Sequence, residues 1–222
     1  MALEALIFDF DGLVVDTETP DFIVLAEQYR DHGCELLTER WIAGLGTYGG
    51  YDPYAELEER VGRALDRAAL ARAHRARYLE ICAAQGLQPG VLELIEAATG
   101  AGIKLAIASS ASRDWVEGWL ERHCLRDRFA CVRTRDDVQR VKPAPDLFLS
   151  AAACLGVPPE SCVVLEDSPN GMLAAAAAGM RCVAVPIALL AEIELPPHTL
   201  RLRSLADIDP HELLERLAAA TH

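Results

Sequence analysis

The sequence has no CxxC pair. Its seven cysteines fall singly, at Cys34, Cys82, Cys124, Cys131, Cys154, Cys162 and Cys182. An odd, scattered set, partly inside apolar runs, predicts reduced and mostly buried thiols in a cytosolic protein. Cations are also scarce: 21 Lys and Arg stand against 34 Asp and Glu, a formal net charge of −13. A nucleic-acid partner is therefore not expected, because phosphate backbones are gripped by clusters of Lys and Arg. A small phosphorylated ligand is not excluded, since it needs only one or two cations and a metal. No apolar run reaches the roughly 18 residues of a membrane span. The first 20 residues carry acids early and no basic segment, unlike a signal peptide. A soluble, cytoplasmic, monomeric protein without a membrane partner is the expectation.

What is present is the composition of a packed core: 51% of the 222 residues are apolar and 25% charged. The length suits one domain, or one domain carrying a smaller insertion. Short, almost continuously apolar runs at 4–10, 103–110, 128–134, 161–167 and 181–187 read as strands covered on both faces of a parallel sheet. Helix signals lie between them. Ser112 can cap "SRDWVEGWLERHC", in which Trp115, Trp119 and Leu120 have core-like spacing; Pro145 and Gly156 bound a second helix, and an alanine-rich third stops at Gly179. This alternation predicts an α/β fold, a doubly wound parallel sheet.

One connection breaks the rhythm. About 90 residues between the first two strands hold no convincing strand and read as helices over 19–32, 38–45, 53–64, 66–85 and 90–100. Asp52-Pro53 and Asp66 look like helix starts, and Gly33 and Gly86 like stops. Only the last of these helices is needed for a right-handed crossover. Residues 17–83 are therefore expected to form an inserted all-helical domain, hinged near 14–19 and 84–90, on an α/β core of 1–16 and 84–222.

In an open α/β sheet, ligands bind beyond the carboxyl ends of the strands. The first strand ends in Asp9 and Asp11, the second in Ser109 and Ser110, and the fourth in Glu166 and Asp167, while Lys142 precedes the fourth. Side chains two apart on an extended chain face one side. Paired carboxylates there repel unless one is protonated or a cation lies between them, and Glu166 and Asp167 opposite add to the repulsion. A divalent metal resolves it. Hard oxygens with no His or Cys nearby suit Mg²⁺ better than zinc. Ser109, backbone N–H groups and Lys142 supply the complementary anion site, so that together these residues describe a phosphoryl pocket.

Taken as a set, "DFDGLVVD", "IASS", "VKPAPD" and "VLEDS" resemble the haloacid dehalogenase superfamily of phosphohydrolases. The resemblance is narrower to the branch of β-phosphoglucomutase and small-sugar phosphatases, which carries a helical cap after the first strand. It covers nearly the whole chain in order and spacing, and implies a Rossmann-like core with an inserted helical cap. It also implies roles. Asp9 would attack phosphorus to give an aspartyl-phosphate, and Asp11 would protonate the leaving oxygen and then deprotonate water. Asp9, the backbone carbonyl of Asp11 and Asp167 would hold Mg²⁺, with Glu166 in or just behind the shell. Ser109 and Lys142 would bind the phosphoryl oxygens, helped by backbone N–H groups near Phe10 and Ser110. Asp16 reads as structural, at the entry to the cap. The implied activity is a Mg²⁺-dependent phosphatase of a small phosphorylated metabolite, a sugar or polyol phosphate.

Departures sort the branch. A mutase would carry a histidine where this chain has Asp21, and basic residues within "WIAGLGTYGG" (41–50), which has none. A second phosphate thus lacks its usual partners, which favours phosphate release over a β-phosphoglucomutase-like mutase, the alternative. Dehalogenases lack the second acid present here as Asp11, and a phosphonatase would need a cap lysine. A phospho-accepting receiver module also combines acids, a hydroxyl and a lysine, but in a different order and without the insertion. Residues 44–53 read equally as a lid offering Thr47, Tyr48 and Tyr51 or as a plain turn. Arg72, His74, Arg75 and Arg77 read as a solvated, salt-bridged face.

Overall fold

The computed structural model describes residues 2–219. Strands β1 (Ala5–Phe8), β2 (Lys104–Ala108), β3 (Cys131–Arg133), β4 (Cys162–Glu166), β5 (Arg181–Ala184) and β6 (Leu200–Arg201) form one sheet in the order β3-β2-β1-β4-β5-β6. Every neighbouring pair is parallel, with Ile7 of β1 in register with Ala106 on one side and Val164 on the other. Between β1 and β2 run α1 (Glu18–Asp31), α2 (Thr38–Gly44), α3 (Pro53–Val61), α4 (Arg67–Cys82) and α5 (Val91–Gly100). The remaining helices are α6 (Arg113–Arg122), α7 (Asp146–Leu155), α8 (Pro169–Ala177) and α9 (Pro210–Ala219). Among the described residues, no helix is long and apolar enough to cross a membrane.

The two-residue period of the strands builds a core on each face of the sheet. Leu6 and Phe8 join Leu105, Ile107, Val163 and Leu165 under α5, α6 and α9, whereas Ala5 and Ile7 join Ala106, Ala108 and Val164 under α7 and α8. Each large side chain buried this way contributes roughly 1.5–3 kcal/mol relative to exposure. The second face is lined mainly by small residues, and Ala174 and Ala175 bring α8 close to the sheet. The alanine run is thus a packing surface.

Helices α1 to α4 gather around their own cluster of Leu25, Tyr29, Trp41, Leu45 and Leu57, which continues onto Ile187 and Leu190 beyond β5. Local chemistry starts α3 and α4 as the sequence predicts: Asp52 accepts from the N–H groups of Tyr54 and Ala55, and Asp66 from that of Ala69. The chain enters and leaves this segment along adjacent paths. The Gln88 N–H donates to the Val14 carbonyl at 2.9 Å, and Val15 bridges Leu87.

Two expectations need correction, and two elements lie beyond the sequence signals. Cys131 on β3 and Cys154 on α7 form a disulfide, with Cα atoms 6.3 Å apart, so these two are not free thiols; Cys34, Cys82, Cys124, Cys162 and Cys182 are. The Ser112 hydroxyl does not cap α6; the Arg113 N–H donates instead to the Asp136 carboxylate at 2.8 Å. Strand β6 was too short to show a period. Helix α9 carries none of the stop signals that mark the others, although Leu213, Leu214 and Leu217 bury one face of it.

Candidate active site

The strand order places β1 beside β4 at the sheet's centre, where the connections diverge to opposite sides and open a crevice. The ladder runs one residue past β1: the Asp9 N–H donates to the Leu165 carbonyl at 2.9 Å, fixing Asp9 at the rim with only 5% exposure. Phe10 turns into the core, and Asp11 comes back to the Asp9 side. The chain then reverses at Gly12. Its φ is +87°, and a Cβ there would lie 2.1 Å from Asp167 Oδ2, so only glycine permits this approach.

From β4 come Glu166, Asp167 and Ser168, each at most 1% exposed. Glu166 Oε2 accepts from the backbone N–H and the hydroxyl of Ser168, at 2.8 and 2.9 Å. Its Oε1 accepts from Lys142 Nζ at 2.7 Å, and Lys142 also donates to Asp9 Oδ1. A Cβ on Gly171 would fall 1.7 Å from Glu166 Oε1, so the first turn of α8 is open because Glu166 passes through it. Oxygens of Asp9, Glu166 and Asp167 lie within 4.8 Å of one another, and Asp167 Oδ2 is buried without a hydrogen-bond partner. An unmatched buried carboxylate oxygen among hard donors is the feature a divalent cation fits.

Charge in this pocket is costly. Burial drives the Asp9 and Asp167 carboxyls well above the usual carboxylate range; Lys142 opposes this, while Glu166 and the other carboxylates of the group add to it. Burial alone would lower the Lys142 pKa, yet the Asp9 and Glu166 carboxylates hold it above the ordinary lysine range. Asp11 is raised by burial as well, and three donors oppose the shift. They are Trp115 Nε1 at 2.7 Å and Thr17 Oγ1 at 2.8 Å, both to Oδ1, and Ser109 Oγ at 3.2 Å to Oδ2. The Ser110 hydroxyl donates to the Gly46 carbonyl at 2.9 Å. The rim therefore brings Asp9, Lys142, Glu166 and Asp167 into one buried group, joins Ser109 to Asp11, and turns Ser110 toward the loop after α2. Asp16 accepts the Thr19 N–H at the entry to α1.

A cavity of about 500 Å³ opens above Asp9 and Asp11. Sequence reasoning missed part of its wall. Trp115, read as core, faces the cavity, while Trp119 and Leu120 pack inward. Within the basic stretch of α4, Arg77 pairs outward with Glu80 at 2.8 Å, whereas His74 and Arg75 line the cavity. The helical period, which puts 71, 74, 75 and 78 on one face, was the available signal. His74 Nε2 lies 3.2 Å from Asp21 Oδ1, and the Arg75 guanidinium sits 5.2 Å from the ring centre of Trp115. Of the glycine-rich loop, Thr47 and Tyr48 reach this cavity, and the Tyr51 hydroxyl instead donates to Glu56 at 2.9 Å. Glu18, pushed well up by burial and the acids around it, also lines the space.

A family model described as haloacid dehalogenase-like hydrolase matches residues 6–185. A Bacillus subtilis (strain 168) protein named "Putative phosphatase YhcW" is 40% identical over 215 residues, which is 97% of this chain and 98% of that one. Protein CbbY of Rhodobacter capsulatus is 37% identical, over 84% of this chain and 86% of its own. Among solved structures, a CbbY mutant from Rhodobacter sphaeroides in complex with xylulose-(1,5)-bisphosphate matches with a TM-score of 0.72 and 33% identity, covering 93% of this chain and 96% of that chain.

Proposed function

Because the chain belongs to the haloacid dehalogenase-like hydrolase family, we propose that this phosphoric monoester hydrolase is a Mg²⁺-dependent phosphatase of a small sugar or polyol phosphate. The observation that carries the reading is the buried group itself. Segments from positions 9–11, 109, 142 and 166–167 converge on one rim, and one oxygen of Asp167 has no partner there. The names of YhcW and CbbY's bisphosphate complex support the same chemistry.

In this reading an Asp9 carboxylate oxygen attacks phosphorus as the ester P–O bond breaks, leaving an aspartyl-phosphate on Asp9. Asp11 gives its proton to the departing oxygen. It then takes a proton from the water that attacks the same phosphorus, which frees Asp9 and releases phosphate. The hydrogen bonds from Trp115, Thr17 and Ser109 to Asp11 support that role, because a proton carrier must point at one place. Mg²⁺ would be held by Asp9, Asp167 and the Asp11 carbonyl, with Glu166 in or behind the shell, and would neutralise charge on the phosphoryl oxygens. Lys142 holds Asp9 and Glu166 apart from direct repulsion, and it faces the phosphoryl group together with Ser109 and the backbone N–H groups near Ser110. Residues 17–83 would act as a cap on the core of 1–16 and 84–222, hinged where the two connecting segments run side by side.

The test is a phosphate-release screen over sugar and polyol phosphates, with and without Mg²⁺. Metal-dependent release is expected, falling at least about a thousandfold in Asp9→Asn. Release that persists in Asp9→Asn, or that needs no divalent ion, overturns the mechanism. Conversion of β-glucose 1-phosphate to the 6-phosphate without release would establish a mutase instead.

A further inference from the structure

Two arginines of the cavity wall have no task in the chemistry above. Arg75 comes from α4 in the insertion and Arg135 from the segment after β3, and both line the cavity that holds Asp9 and Asp11. Among the described residues, Arg75 has no carboxylate partner: its guanidinium rests against Trp115 at 5.2 Å and Tyr78 at 5.9 Å. Of the other arginines of the same helix, Arg67 pairs with Asp52 at 3.0 Å and Arg77 with Glu80 at 2.8 Å, while Arg72 is exposed and lines no part of this cavity. Arg135 lies 4.1 Å from the ring centre of Tyr48, and its carboxylate neighbour is Asp136, the next residue, at 3.8 Å. Lys142, by contrast, is enclosed between Asp9 and Glu166 and cannot reach out to a remote group.

We propose that Arg75 and Arg135 form an anion clamp that selects phosphomonoesters whose far end carries a second negative group, a phosphate or a carboxylate. The proposal rests on the phosphatase reading for the reacting end and names the substrate class. A guanidinium held over an aromatic ring is partly oriented, and it loses less freedom when its N–H fork meets an anion. The cavity of about 500 Å³ has the size of a small-ligand site. In a chain of net charge −13, two cations at the wall are what would draw a doubly anionic substrate past Glu18 and Asp21. This also answers the absence of basic residues at 41–50: cations reach the cavity from elsewhere in the chain.

The rival is that the arginines merely staple the insertion to the core, since Arg75 touches Trp115 of α6 and Arg135 touches Tyr48 of the insertion. A matched series separates the two: hexitol 6-phosphate, 6-phosphogluconate and hexitol 1,6-bisphosphate, assayed with the protein and with Arg75→Gln, Arg135→Ala and the double variant. The unaltered protein should prefer at least one doubly anionic compound by about tenfold in kcat/KM, well beyond the factor of about two that two equivalent ends provide. The double variant should bring the series close to parity. The ratio does not depend on the fraction of active protein, so partial misfolding cannot mimic the result. Parity in the unaltered protein, or equal losses on all three compounds, overturns the clamp. If no compound here or in the wider screen of sugar and polyol phosphates releases phosphate, the phosphatase reading has failed. Calorimetric binding of the same series to Asp9→Asn then reads the clamp alone: tighter bisphosphate binding that vanishes with both arginines supports it, and equal affinities sink it.

Discussion

The rim of the sheet and the helical insertion face the same cavity but are built by different physics. At the rim, Asp9, Lys142, Glu166, Asp167 and Ser168 are at most 5% exposed; Asp9, Lys142, Glu166 and Ser168 take their places from the strand ladder or from a charged partner, and Asp167 sits among them with one oxygen unmatched. On the other side, Arg75 is exposed and Tyr48 is 63% exposed, and their contacts are ring faces. Buried charge permits one arrangement, because each misplaced group forfeits a partner that water cannot replace. Ring contacts at a surface permit many. The rim is therefore suited to invariant chemistry and the insertion to selection among substrates.

The sharpest test of this contrast is to remove one cation from each wall. Lys142→Met leaves Asp9 and Glu166 facing each other uncompensated, and should cost about 3–5 kcal/mol in denaturant unfolding and abolish turnover. Arg75→Gln should stay within about 0.5 kcal/mol, as surface substitutions do. The sign with pH follows from the raised Lys142 pKa: its contribution is complete below the ordinary lysine range and is lost only as pH climbs through the raised value. Similar losses from the two variants would erase the distinction between the walls.

The same contrast explains what could be read from sequence. Asp9, Asp11, Glu166 and Asp167 were legible because strands end in the loops that face ligands, so charge at the end of an apolar run has one natural location. Lys142 was legible through its motif. Trp115 was not, because periodicity assigns a helix face and cannot show where the neighbouring element stops. Residues 115 and 119 share a stripe of α6, yet Trp119 is buried in the core cluster while Trp115 stacks on Tyr78 of α4 and faces the cavity. Arg75 was hidden among charges that behave as solvated surface. The Cys131–Cys154 bond joins β3 to α7 over 23 residues, and spacing alone cannot pair cysteines.

Trp115 is where the two walls meet. Its indole N–H donates to Asp11, while its ring stacks on Tyr78 at 5.7 Å and lies under Arg75. Trp115→Phe keeps the ring and removes the donor. The expected result is a kcat about ten- to a hundredfold lower with little change in KM, because one of three donors orienting Asp11 is gone while the binding surface remains. An unchanged kcat would show that Thr17 and Ser109 suffice. A rise in KM alone would place Trp115 with the insertion, as a binding face only.

Asn170 offers the gentlest test, since it ties the walls together without touching either site. From the first turn of α8, its side-chain amide donates to the carbonyls of Ala43 and Leu45, at 3.1 and 2.8 Å, where α2 ends. The residue after Leu45, Gly46, has a φ of +76°, and a Cβ there would lie 2.0 Å from Ser168 Oγ, so the loop is held tight against the rim. Asn170→Ala should cost about 0.5–1.5 kcal/mol, the net worth of a typical hydrogen bond, because water can reach one of the freed carbonyls. If the insertion selects and the rim reacts, the kinetic loss should fall on KM, a few-fold rise with kcat held, measured on whichever phosphate ester is turned over best. A fall in kcat at constant KM would mean instead that the rim borrows its order from the insertion, and that the two walls are one device.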